Sequence, residues 1–198
     1  ASVMVSSVPA ARWEVDNALS NLQDSGITNR THHGAFISIA EHFDSRHFAI
    51  APAEASAMDP QQRQLLERGY GAFHAAGTTM GSLLGSVTAA NVGQWQSEFG
   101  SVLLSTPAGR SVYASTGFSC SVTCGRVSFV LGLQGPCVSY DTACSASLVA
   151  NHGSVRALQR VECASGLSAG VNMILEPLAM RGNAVAGFTS CLLYTSPS

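Results

Sequence analysis

Few side chains in this sequence are suited to covalent chemistry, and one cysteine stands in a setting that would use it. Cys144 lies in the run Gly135-Pro136-Cys137-Val138-Ser139-Tyr140-Asp141-Thr142-Ala143-Cys144-Ser145-Ala146-Ser147-Leu148-Val149-Ala150. Val138 to Tyr140 is short, β-prone and follows a Gly-Pro breaker, which predicts a buried strand. Asp141-Thr142-Ala143 reads as a tight connection, and the residues from Ser145 to about Gln159 suit a helix. Cys144 thus falls where a strand turns into a helix, the geometry of a nucleophile elbow. A helix N-terminus carries unpaired N–H groups and roughly half a positive charge, which favours the thiolate, the reactive form of cysteine. The backbone N–H of Cys144 is placed to stabilise an oxyanion on a bound acyl carbonyl. The competing reading is an inert core thiol, since free cysteine is among the most buried residue types. On residue pattern alone both readings stand.

The other reactive side chains carry weaker patterns. Six cysteines stand at 120, 124, 137, 144, 163 and 191, with no Cys-x-x-Cys pair. Cys120 and Cys124 are spaced for one helix face, but two thiols without histidine partners make a poor metal site, and core packing is expected. With no secretory context, reduced thiols are expected. His32-His33 lacks a third ligand and reads as a solvated loop. His152 is eight residues beyond Cys144, a helical rise of about 12 Å, which puts it out of hydrogen-bond reach. A packed helix position is expected for it, and structural pairing or surface exposure for Arg126. Gly166 and Gly170 lack the spacing of a phosphate loop and read as close-packing positions against the helix after Cys144.

The elements that must hold this site follow in order. Residues 1 to about 35 read as irregular. Met58-Asp59-Pro60-Gln61-Gln62-Arg63 starts a helix: Asp59 is the N-cap, Pro60 the first helical residue, and Gln62 the expected capping-box partner. Leu65, Leu66 and Phe73 supply its apolar face up to a stop at Gly77, with Gly69 and Gly71 weakening it. Gly81 to Val87 reads as a short buried strand, Asn91 to Phe99 as a helix packing Trp95, and Ser105 to Arg110 as a loop. Cys163 to Leu175 is a near-continuous apolar run, as in a strand covered on both faces.

Composition narrows the function classes. The 198 residues suit one domain, and only 11% are charged, with a net charge of −2 and no basic run, which speaks against nucleic-acid binding. No stretch approaches the roughly 18 continuous apolar residues of a membrane span, and no signal peptide is visible, so a cytoplasmic setting is expected.

Several runs resemble one family. Asp141-Thr142-Ala143-Cys144-Ser145-Ala146-Ser147-Leu148-Val149 is similar to the active-site signature of ketosynthase domains of type I polyketide synthases and of fatty acid condensing enzymes. Met58 to Arg63 is similar to a run of the same family and favours its polyketide branch over the thiolases. Phe43 to Pro52 resembles a further family run, with His47 where an aromatic is usual. Pro9 to Asp16 resembles the family's approach segment, and Ser121 to Pro136 the helix and turn leading to the active-site strand. The resemblance covers residues 8 to about 175.

The resemblance implies an α/β thiolase-like fold with α-β-α-β-α layers, of which this chain is the N-terminal half, incomplete. Residues 1–190 are expected to form that partial domain, without the family's first strand, and 191–198 to be a foreign tail. Cys144 is implied as the nucleophile that holds the acyl chain as a thioester in a decarboxylative Claisen condensation. No bound cofactor is implied; substrates arrive on the phosphopantetheine arm of an acyl carrier protein. Homodimerisation is implied through the strand Val138 to Tyr140. The family's two catalytic histidines lie in His-Gly-Thr-Gly-Thr and Asn-x-Gly-His runs, and neither run occurs here. The chain alone is therefore expected not to condense, and to expose a large apolar face. The alternatives are a thiolase-like cysteine acyltransferase or a cysteine hydrolase, and a non-catalytic truncated or docking piece of a synthase.

Overall fold

The structure, a computed structural model, describes residues 5–13, 30–38, 40–95 and 97–190. The expected foreign tail, 191–198, lies outside them. The chain divides into two compact units, residues 40–173 and residues 1–39 with 174–198.

In the smaller unit, β1 (Val5–Ser7) and β2 (His33–Ala35) pair antiparallel, Val5 opposite Ala35. This corrects the expectation of an irregular first 35 residues. The Val8 N–H extends the ladder by donating to the His32 carbonyl at 2.9 Å. His32 is half-buried and His33 exposed. The unit also holds a helix at Pro177–Val185, with proline in its first turn.

The larger unit begins with α1 (Pro52–Ala57) and α2 (Pro60–Ala75). Asp59 caps α2 as predicted, its Oδ1 accepting the Gln61 N–H at 2.7 Å. The predicted capping box does not form. Gln62 turns inward instead: its Nε2 donates to the Thr116 carbonyl at 3.2 Å and its Oε1 accepts from Arg126 Nε at 2.9 Å. Arg126 also pairs with Glu54, so the expected structural pairing is what the fold shows. His47 stands edge-on to Phe48 and tilted to Tyr70, centroids 4.8 and 5.1 Å away, and fills an aromatic's place.

Two elements differ from the sequence reading. The strand expected at Gly81 to Val87 is a helix, α3 (Met80–Leu83), closed by a capping box between Thr79 and Ser82. Leu84 and Val87 are exposed, at 74% and 52%. The helix expected from Asn91 is a strand, β3 (Thr88–Gln94), and every residue of it is buried. Its polar side chains are satisfied from elsewhere in the fold. Thr88 bonds Ser165 Oγ at 2.7 Å, Asn91 Nδ2 donates to Ser154 Oγ at 3.0 Å, and Gln94 Oε1 accepts from Thr123 Oγ1 at 2.6 Å.

After β3 come α4 (Phe99–Leu104), a 3₁₀ turn at Pro107–Arg110, α5 (Ala114–Gly117) and α6 (Cys120–Leu131). Then follow β4 (Cys137–Tyr140), a 3₁₀ turn at Ala143–Ser145, α7 (Ala146–Gln159) and β5 (Ser165–Val171). The sheet is parallel, in the order β4-β3-β5, with Val92 beside both Ser139 and Ala169. β4 and β5 are therefore its edges. Cys137 and Val138 are exposed and Ser139 and Tyr140 half-buried, so β4 is a strand as predicted but not a buried one. β5 likewise buries only Leu167, because no fourth strand of the described residues flanks it.

The sheet's two faces are covered differently. Ala90, Val92 and Leu167 point to a core formed with Met58, Leu65, Leu66 and Phe73 before and within α2, and with Val127 and Leu131 on α6. Asn91 and Gly93 point to the other face, against α7. The unit is thus an α-β-α sandwich, three layers of the expected five.

Candidate active site

The connections place one crevice. The crossover from β3 to β4 runs through α6 on one face, and that from β4 to β5 through α7 on the other. In such sheets ligands bind beyond the carboxyl ends of the strands, where the crossovers change sides. A cavity of about 480 Å³ lies there. Gly93 and Trp95 line it from the end of β3, and Gly170, Val171 and Asn172 from the end of β5. Ala143, Cys144, Ala146 and Ser147 line it from the turn into α7.

Cys144 occupies the position the sequence predicts, on the turn between a strand and a helix. Its side chain is exposed, so an inert core thiol no longer describes it. Cys124 and Cys163 do fit that description. The turn is held by local bonds. Asp141 Oδ1 accepts the Ala143 N–H at 3.2 Å, and Ser145 Oγ donates to the Thr142 carbonyl at 2.8 Å. Ala143 has φ of 53°, a left-handed conformation that costs an alanine about 1–2 kcal/mol. Strain of this kind, next to an exposed cysteine, is what a sharp elbow requires.

Two glycines let the helix sit close enough for this turn. A Cβ on Gly93 would stand 2.5 Å from the Ala146 carbonyl oxygen and from the Ser147 nitrogen. A Cβ on Gly170 would collide with Ser147 Cβ. Close packing against this helix was legible for Gly170; Gly166 makes only ordinary contact, 3.8 Å from Ser154 Cβ. Gly93 was hidden by the helical reading of its segment. Tyr140 adds a tie across the same face, its hydroxyl donating to Asn91 Oδ1 at 3.2 Å.

His152 is exposed on α7, which corrects the packed position expected of it. The helix buries Ala146, Ala150, Ser154 and Ala157 against the sheet, and residue 152 falls off that stripe. None of the cavity-lining residues is titratable except Cys144. Burial pushes the Cys120 thiol up, aided by the charge of Asp141, and burial likewise raises Cys137. Among the described residues no cluster of His, Cys, Asp and Glu is arranged to hold a metal. No helix among them is long and apolar enough to cross a membrane.

A parallel sheet with an exposed cysteine on the elbow at its switch point defines an α/β protein of the thiolase-like kind. The model of the beta-ketoacyl synthase N-terminal domain matches residues 2–191, and the chain belongs to that family. It is 42% identical over 174 residues to polyketide synthase GfsB of Streptomyces halstedii, spanning 87% of this chain and 3% of that protein. It is 40% identical over 173 residues to a phenolphthiocerol/phthiocerol polyketide synthase of Mycobacterium tuberculosis, again 87% of this chain and 11% of the relative. Among solved structures, a ketosynthase from module 6 of the bacillaene synthase of Bacillus subtilis superposes with a TM-score of 0.80 at 32% identity. That match covers 92% of this chain and 29% of the solved one. The chain therefore spans a small part of the proteins it matches, and corresponds to the N-terminal part of a polyketide-synthase ketosynthase domain.

Proposed function

We propose that Cys144 accepts an acyl chain from the phosphopantetheine thioester of an acyl carrier protein, as the first half-reaction of a ketosynthase. The thiolate attacks the acyl carbonyl, the bond from that carbonyl carbon to the pantetheine sulfur breaks, and the pantetheine thiolate leaves and takes up from water the proton that Cys144 gave up on ionising. The backbone N–H of Cys144 at the head of α7 donates to the carbonyl oxygen as it gains charge. In the second half-reaction a malonyl-type unit loses carbon dioxide, its carbanion attacks the Cys144 thioester, and the cysteine thiolate is released with a β-ketoacyl product. The observation that carries this reading is an exposed cysteine on a strained strand-to-helix turn, opening into a cavity of about 480 Å³. Trp95 and Val171 give that cavity apolar walls suited to an acyl chain. Its lining supplies a nucleophile and no proton carrier, so the groups that drive decarboxylation belong outside these residues.

The test is acyl transfer from an acyl-pantetheine thioester, read as a mass increment on the Cys144 peptide. A single adduct there, absent in Cys144→Ala, is expected. Adducts spread equally over the exposed Cys137 and Cys144 would overturn the assignment.

We further infer pairing of β4 with its symmetry mate. As an edge strand it presents unpaired backbone groups, with Val138 39% exposed beside them. Val138→Lys is expected to shift the intact ketosynthase from dimer to monomer in sedimentation; an unchanged dimer would refute this.

A further inference from the structure

The segment Met58 to Arg63 starts a helix, yet its burial exceeds what a helix start needs. Asp59 and Gln61 both show 0% exposure. Their side chains form a connected path. Ser97 Oγ donates to the Asp59 carboxylate, Gln61 Nε2 donates to Asp59 Oδ2 at 3.2 Å, and Gln61 Oε1 accepts the Met173 N–H at 3.2 Å. The Asp59 N–H is itself anchored on the Gly117 carbonyl at 2.7 Å.

The two ends of this path have a common feature. Ser97 lies two residues beyond Trp95, and Met173 directly follows Asn172. Trp95 and Asn172 are the outermost residues through which the ends of β3 and β5 line the cavity. The Asp59–Gln61 pair therefore connects the segments that follow β3 and β5 where they line the cavity. A plain cap needs only the Asp59 bond to the Gln61 N–H; the bonds to Ser97 and Met173 add nothing to starting a helix.

We propose that Asp59 and Gln61 are positioning residues that set the separation of Trp95 and Asn172, and hence the bulk of the acyl group admitted to Cys144. The inference takes the acyl cavity from the function proposed above and adds what limits its width. Neither residue touches the substrate; they act through the loops they tie.

The test uses the 198-residue chain and two thiol probes, iodoacetamide and its N-cyclohexyl derivative. Their rates at Cys144 are read by peptide mass spectrometry and expressed as a bulky-to-small ratio. Gln61→Met preserves volume and removes both bonds; Ser97→Ala removes one end of the path at a half-buried position and guards against failure to fold. Each is expected to raise the ratio, Gln61→Met by about fivefold or more, as loss of the bonds to the Asp59 carboxylate and from the Met173 N–H implies. Gln61→Glu alone sets its carboxylate against that of Asp59 and is expected to raise the ratio as well. Asp59→Asn combined with Gln61→Glu restores the donor and acceptor in exchanged order and is expected to bring the ratio back. Residues that only stabilise the fold would lower the melting temperature and leave the ratio unmoved, and that result, or a lower ratio, overturns the proposal. Acyl transfer from the pantetheine thioester is followed in the same samples. If wild type fails to take the acyl group while the ratio still responds, the functional reading falls and the width control stands.

Discussion

Gly93→Ala is the sharpest perturbation that the seat of α7 offers. The added methyl would lie 2.5 Å from the Ala146 carbonyl oxygen and the Ser147 nitrogen, both backbone atoms that cannot swing aside. Ordinary contact needs about 3.5 Å, so the first turn of α7 must withdraw by about 1 Å or β3 must bend. Overpacking of this kind costs about 1–3 kcal/mol. For a chain of this length that lowers the melting temperature by about 2–12 °C. Cys144 lies two residues before Ala146, so the thiol moves with the helix. A misplacement of about 1 Å costs on the order of 10²-fold in a reaction that depends on alignment. Acyl transfer to Cys144 should fall by about that factor while alkylation by small iodoacetamide, which needs little alignment, changes far less. Gly71→Ala is the control: nothing stands within 4 Å of its Cβ, and the helix gains up to about 1 kcal/mol. Gly93→Ala with wild-type melting and wild-type acyl transfer would refute the claim that this contact seats Cys144.

Other outcomes follow from the same structure. Burial pushes the Asp59 carboxyl above its ordinary 3.8, against the hydrogen bonds from Ser97 and Gln61 and the charge of Arg63. Its contribution to stability is then complete below that value and is lost as pH rises through the raised one. Relative to wild type, Asp59→Asn should gain in urea midpoint as pH rises from about 4 through the raised value; a constant gap would refute this. Ala143→Gly relieves the left-handed strain at φ 53° and should stabilise by about 0.5–1 kcal/mol after the entropy cost of glycine, read by denaturant titration. A loss of stability would show that the alanine methyl is needed. Burial raises the thiols of Cys120 and Cys137, so iodoacetamide near neutral pH should label Cys144 ahead of both. Equal labelling of the three would count against the site.

The elbow was legible because each of its signals is local: a Gly-Pro breaker, a short β-prone run, a tight connection and a helix-forming segment. The Asp59 cap was legible for the same reason. What the sequence concealed depends on partners far along the chain. Thr88, Asn91 and Gln94 recur every third residue and imitate the polar stripe of a helix, yet they sit in a fully buried strand because Ser165, Ser154 and Thr123 satisfy them. The edge position of β4 follows from strand order, which its own residues do not encode. Gln62 left its capping role for Arg126, 64 residues away, and Gln61 reaches 112 residues to Met173.

The polar row of β3 bears on how the chain avoids misfolding. Parallel strands of small residues can slide past one another, and a slip of one position turns every side chain to the opposite face. Here such a slip would part Thr88, Asn91 and Gln94 from Ser165, Ser154 and Thr123, although Thr88 keeps Ser86 on its own segment. At about 1–3 kcal/mol for each group it strands, the error would cost several kcal/mol. That is comparable to the whole stability of an ordinary domain, about 5–15 kcal/mol. The three polar side chains thus act as a proofreading device for strand alignment, and only the correctly registered sheet carries Gly93 to the place where α7, and the cysteine before it, can dock.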